Sequence, residues 1–133
     1  MDSFNGIVKL KVIAIEYLKL TEFSTRIFHN NFLISPYVLL DIDDTRIGRT
    51  TTKHHTHSPL YNEEFQTEPI ENARYLHVTV FHKSKLPPDD FVANATVSLC
   101  GLSTNGSNKL LINLEPCGKI HLHVELEGQM IEG

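Results

Sequence analysis

The sequence predicts an all-β chain, an eight-stranded antiparallel β-sandwich, on three observations. Apolar and polar residues alternate with period 2 in one segment after another, the mark of half-buried strands, and helical periodicity is nearly absent. Turn signals separate these segments: Asp43-Asp44, Ser58-Pro59, Pro87-Pro88-Asp89, Asn105-Gly106 and Pro116-Cys117-Gly118. The 133 residues, 41% hydrophobic and 21% charged, suit one packed domain and neither two domains nor a disordered chain. Antiparallel strands with one apolar face each bury those faces by stacking two sheets.

The elements follow in order. Ile7–Tyr17 places Val8, Leu10, Val12 and Ala14 on one face. Tyr37–Asp43 sets Val38, Leu40 and Ile42 against two acids, and the threonine-rich Arg46–Lys53 favours an extended chain. Leu60–Gln66 is a short polar strand. Tyr75–Phe81 alternates Leu76, Val78 and Val80 against Tyr75, His77 and Thr79. Phe91–Leu99 puts Phe91, Ala93, Ala95, Val97 and Leu99 on one face, and Leu110–Leu114 is brief. Lys119–Glu127 has the cleanest alternation, with Ile120, Leu122, Val124 and Leu126 inward. The longest connection, residues 18–35, has room for a helical turn near Thr21–Phe28.

Composition excludes several functions. Twelve Lys+Arg against 16 Asp+Glu give a formal charge of −4, which argues against a basic nucleic-acid-binding surface. No apolar run is long enough to span a bilayer, and Lys9 and Lys11 interrupt any signal-peptide core. Two cysteines outside a CxxC spacing, Cys100 and Cys117, make no disulfide framework, so a reducing, cytoplasmic setting is expected. Two glycosylation triplets, Asn94-Ala95-Thr96 and Asn105-Gly106-Ser107, are outweighed by that setting.

If consecutive strands alternate in direction, the odd-numbered loops gather at one end. That end receives Lys19, Arg26, His29, Lys53, His54, His55, His57, His82, Lys83 and Lys85, with the acids Glu22, Asp89, Asp90 and Glu115. The other end holds Asp43, Asp44, Glu68 and Glu71 beside Arg46 and Arg74. The molecule is therefore expected to be electrically polarised. In Lys83-Ser84-Lys85-Leu86-Pro87-Pro88, lysines flank an apolar tip, a pattern that suits an anionic lipid surface. With an unperturbed imidazole pKa of about 6.5, protonation of the histidines at this end is expected to strengthen that contact.

Taken in order, Phe4-Asn5-Gly6, Asp43 to Gly48, Thr52-Lys53, Ser58-Pro59, Tyr61 to Phe65, Phe81-His82, Asp89 to Asn94 and Leu114-Glu115-Pro116 resemble one family. It is the amino-terminal C2 domain of the novel, calcium-independent protein kinases C, of the epsilon and eta kind. The likeness runs from about residue 4 to 127 and implies one C2 domain of type II topology over 1–133, the N-terminal regulatory fragment of a larger serine/threonine kinase. The chain itself carries no kinase signature, so no catalytic residue is expected. The resemblance implies lipid contact through Phe23, Arg26, Arg46 and Leu86, to which the loop pattern itself adds Lys83, Lys85, Pro87 and Pro88. It implies protein docking through Tyr17, Leu18, Lys19, Leu20 and His82, to an anchoring protein or to the chain's own kinase domain. The expected lipid partners are phosphatidic acid and phosphatidylserine in a membrane joined peripherally on activation. Calcium-binding relatives place aspartates where this chain has Ser35, His82 and Ser84, leaving Asp89 and Asp90. Calcium takes about six to eight oxygen ligands, so no cofactor, calcium included, is expected.

Two rival functions remain open. The first is metal binding by His54, His55 and His57 in one loop, or by His121 and His123 on one strand face. The second is a lipid-independent docking module that uses a sheet edge or face.

Overall fold

A computed structural model describes residues 1–19 and 33–133. Among the described residues nine strands form: β1 (Ser3–Glu16), β2 (Pro36–Ile42), β3 (Thr45–Arg49), β4 (Leu60–Gln66), β5 (Ile70–Ala73), β6 (Tyr75–His82), β7 (Asp90–Ser98), β8 (Ser107–Asn113) and β9 (Lys119–Ile131), with one 3-10 turn at Leu99–Gly101. One sheet has the order β4-β1-β9-β8, with β5 also on β1, and the other has β3-β2-β6-β7. Every strand pairing is antiparallel. The helical turn expected near 21–28 lies outside the described residues.

The unexpected ninth strand leaves the sandwich plan intact. β4 and β5 take successive stretches of the same edge of β1: Lys9 to Ala14 face β4, and Phe4 and Gly6 face β5. Both run antiparallel to β1, so the described strands make eight traverses and the loops between them still alternate between ends.

Three boundaries differ from the sequence expectation. The extended run at Arg46–Lys53 stops at Arg49, because Thr50 turns back onto β2: its amide donates to Val38 O at 2.9 Å and its hydroxyl accepts from Val38 N at 2.8 Å. In β1 the register with β4 and β9 shifts between Val12 and Ala14. That bulge turns Ile15 inward in place of Ala14. In β7 the register shifts opposite Val80 and Phe81, so Val92 and Ala93 are both buried and Phe91 is turned out, 43% exposed.

The core lies between the sheets. Val8, Leu10, Val12 and Ile15 of β1, with Ile120, Leu122, Val124 and Leu126 of β9, pack in one cluster with Val38 and Leu40 of β2 and Leu76, Val78 and Val80 of β6. Each is a β-branched residue or a leucine on the inward face of a pleat, where apolar burial stabilises most. β1 and β9 pair over nearly their whole length, from Ser3–Ile131 to Glu16–Lys119, and form the spine on which the loops are mounted.

Candidate functional site

The loops that follow β1, β3, β6 and β8 meet at one end, joined by their own backbones. Leu18 N donates to His57 O at 3.1 Å, Thr56 N to Ile34 O at 2.8 Å, Lys53 N to Pro36 O at 3.0 Å and Lys83 N to Ser35 O at 2.9 Å. Lys19 N approaches Cys117 Sγ at 3.4 Å, which brings in the β8–β9 loop. His57 Nδ1 lies 2.9 Å from Leu18 O and so carries the proton. At the opposite end, Asp43 accepts from the amides of Arg74 and Tyr75 at 3.2 and 3.0 Å.

The β6–β7 loop, residues 83–89, presents its tip to solvent. Leu86 is 82% exposed, with Lys83, Lys85, Pro87 and Pro88 also exposed. The acids of this loop are turned inward. Asp89 Oδ2 accepts from the Tyr37 hydroxyl at 2.6 Å and stands 3.8 Å from Lys83 Nζ, and Asp89 Oδ1 accepts from Ser84 N at 3.0 Å. Asp90 accepts from the Ser84 hydroxyl at 3.3 Å. Burial pushes the Asp89 carboxyl up, but the Tyr37 and Ser84 donors with Lys83 and Arg49 outweigh it and hold the group below its ordinary value. Tyr37 moves the other way, pushed up to about 12 by burial and by Asp89, so it stays a donor. The Arg49 guanidinium lies 4.0 Å from the Tyr37 ring centre, and Tyr37 stacks on Phe81 at 5.9 Å. The base of the loop is thus tied through Asp89 to a group of packed aromatics.

Exposed apolar groups gather at this end. Among the described residues nine large hydrophobic side chains are exposed, and six of them lie at or beside the loop end: Tyr17, Leu33, Leu60, Leu86, Phe91 and Leu111. Leu60, Leu111 and Lys119, which sequence reading left out, become visible only through strand pairing, Leu60–Ala14–His121–Leu111 for the leucines and Glu16–Lys119–Asn113 for the lysine.

Several expected site residues are placed elsewhere. Arg46 sits at the start of β3 beside the opposite turn, its Nε 2.7 Å from Asp41 Oδ1, and does not join the loop end. Leu18 is buried at 3% exposure and His82 at 3%, so neither offers a docking surface, whereas Tyr17 and Lys19 are exposed. Phe23, Arg26 and Leu20 lie outside the described residues, as does His29.

Ser35, His82 and Ser84 do not face outward as an open cation site. Ser35 N donates to His82 Nδ1 at 2.9 Å, and both residues are buried. Burial holds the His82 imidazole below its ordinary pKa against the pull of Asp90 and Asp89, which removes it from the histidines expected to charge against lipid. The metal-binding alternative finds no assembled ligand set. His121 pairs with Glu16 at 3.2 Å, and among the described residues no three His, Cys, Asp or Glu are placed to hold an ion.

Two stacked antiparallel sheets with loops clustered at one end define the class, and the comparisons agree. The pattern of the C2 domain family matches residues 6–114, and the chain belongs to that family. It is 41% identical to protein kinase C epsilon type of Oryctolagus cuniculus over 96% of this chain and 18% of that protein. It is 39% identical to a protein kinase C of Drosophila melanogaster (95% and 18%) and 34% identical to protein kinase C eta type of Homo sapiens (97% and 20%). The chain therefore spans about a fifth of the length of these relatives. Among solved structures, a C2 domain of plant Extended Synaptotagmin 1 superposes with a TM-score of 0.76 at 18% identity, covering 93% of this chain and 95% of that one. Human GIVD cytosolic phospholipase A2 gives 0.77 at 14% identity, covering 97% of this chain and 18% of that one. At such identities the likeness is of fold. Among the described residues no helix is long and apolar enough to cross a membrane.

Proposed function

We propose that this domain is a calcium-independent regulatory module that brings a serine/threonine protein kinase to anionic membrane surfaces, phosphatidic acid and phosphatidylserine among them. One observation carries the proposal: the β6–β7 tip presents Leu86 between exposed Lys83 and Lys85 while Asp89 and Asp90 are turned to protein donors. Asp89 takes Tyr37 and Ser84 on its two oxygens with Lys83 alongside, so a calcium ion would have to displace all three.

Burying Leu86 contributes about 1.5–3 kcal/mol and each lysine beside an anionic leaflet about 1 kcal/mol. Leu86, Lys83 and Lys85 together supply about 4 kcal/mol, which corresponds to roughly millimolar affinity. Binding that weak recruits only when linked to a second membrane module, as a position within a larger kinase provides. A second role is protein docking through Tyr17 and Lys19, supported by the 66% exposure of Tyr17.

Sedimentation with vesicles of phosphatidic acid, phosphatidylserine or neutral lipid, each with calcium and with chelator, tests the main role. Binding to the anionic vesicles without calcium is expected, and Lys83→Glu with Lys85→Glu lowers it at least tenfold, from about 1 kcal/mol per charge lost and more on reversal. Binding that appears only with calcium, or that the double variant leaves unchanged, overturns the proposal.

A further inference from the structure

Ser35 ties its own loop to two others and to the end of β6, and every polar group of its own takes part. Its N–H donates to His82 Nδ1 at 2.9 Å, its hydroxyl oxygen accepts from His55 N at 3.2 Å and its carbonyl accepts from Lys83 N at 2.9 Å. The residue belongs to the end of the β1–β2 connection, His55 to the β3–β4 loop and Lys83 to the β6–β7 loop that carries the lipid-facing tip. Neighbouring residues strengthen the seam, since Ile34 O accepts from Thr56 N and Pro36 O from both Lys53 N and the Tyr61 hydroxyl, the last at 2.6 Å. Ser35 and His82 are 5% and 3% exposed, so the bond between them is shielded from water.

We infer that His82 is a positioning residue: by accepting the Ser35 amide hydrogen it fixes a residue that registers three loops of the lipid-facing end against one another. Its location explains why a polar side chain occurs there. Leu76, Val78 and Val80 point into the core, and His82 is the next residue on that face. A leucine at 82 would pack there but leave the Ser35 amide buried without an acceptor, whereas histidine supplies a lone pair at the required reach. The acceptor role requires the neutral ring with its proton on Nε2. Burial favours that neutral form, opposed by Asp90 and Asp89 and assisted by His55.

The test has a lipid-free arm and a lipid arm, because the consequence for binding rests on the function proposed above. In the wild-type domain, nitrogen NMR of His82 is expected to show an unprotonated Nδ1 coupled through the hydrogen bond to Ser35 N. A proton on Nδ1 overturns the inference without any variant being made. In His82→Leu the amides of Ser35, His55 and Lys83 are expected to exchange roughly tenfold faster or more, with Val78 and Leu122 unchanged, and His82→Asn, which keeps an acceptor, restores them. Acceleration at Ser35 alone overturns the hub, because the loops then hold without it. In the lipid arm, His82→Leu is expected to sediment several-fold less with phosphatidic-acid vesicles and His82→Asn like wild type. Unchanged sedimentation with His82→Leu overturns the positioning role and leaves the lipid function standing. Failure of the wild type itself to sediment overturns the lipid function, and the exchange data still decide the hub.

Discussion

Asp89 and His82 are carboxyl and imidazole groups held in the charge states their partners need, and both weaken the fold as acid is added. Each has a folded pKa below its ordinary value, so the unfolded chain binds more protons as pH falls through the interval between the two. Stability is then complete above the unfolded value and lost as pH drops through the folded one. For His82 that window opens below about 6.5, and for Asp89 below about 3.9. Urea midpoints are expected to fall between pH 7.5 and 5, and His82→Asn to flatten that limb. A midpoint independent of pH in this range, or an equally steep slope in the variant, sinks the assignment. Asp89→Asn leaves an acceptor but removes the charge that Tyr37, Ser84 and Lys83 share, a cost of about 1–2 kcal/mol at neutral pH. An unchanged urea midpoint at pH 7.5 would count against that network. The inward position of His82 was legible in the sequence, because Leu76, Val78 and Val80 set a parity that His82 continues. Ending the strand at Phe81 hid it. The Tyr37–Asp89 bond, spanning 52 positions, has no local signal at all.

At the scale of elements, period-2 parity carries the fold until a bulge intervenes. It located the cores of β1, β2, β6 and β9 because their inward residues, His82 at the end of β6 apart, are a run of apolar side chains. It misplaced Ala14 and Phe91 because the extra residue in each case, within Ile13-Ala14 and at Val92, is as apolar as its neighbours and leaves no mark in composition. β5 escaped because a four-residue strand with Glu71 and Asn72 outward has too little alternation to read. The β1–β9 spine makes a sharper demand, for Gly6 and Gly128 face each other in register at φ +147° and +156°. A Cβ on Gly6 would collide with Glu127 O, and one on Gly128 with Asn5 O. Gly6→Ala is therefore expected to cost about 2–3 kcal/mol, from the unfavourable φ together with the displaced ladder. Gly101→Ala, where a Cβ meets nothing within 4 Å, is the matched control and is expected to stay within about 0.5 kcal/mol of wild type. Equal urea midpoints for the two variants would show that the spine tolerates a shift there.

At the scale of the whole molecule, a formal charge of −4 conceals an uneven distribution. Asp43, Asp44, Glu68 and Glu71 collect at the end away from the loops, while Lys19, Lys83, Lys85 and Lys119 stand exposed at the loop end with Leu86, Tyr17 and Leu60. On the membrane role proposed above, an anionic bilayer is expected to be attracted to one end and repelled by the other, so docking should have a defined polarity. The chain contains no tryptophan, which makes every introduced one a single reporter. Leu86→Trp places it at the tip, and Tyr75→Trp places it at the opposite end on a side chain already 36% exposed. With phosphatidic-acid vesicles, Leu86→Trp is expected to shift its emission to the blue and be quenched by brominated acyl chains, while Tyr75→Trp does neither. Raising salt from 0.1 to 1 M shortens the Debye length from about 10 to about 3 Å, so the shift should shrink as the lysines are screened. Equal quenching of the two reporters would mean that the domain lies on the membrane without polarity. A salt-insensitive shift at Leu86→Trp would mean that the leucine, and not the flanking lysines, holds it there.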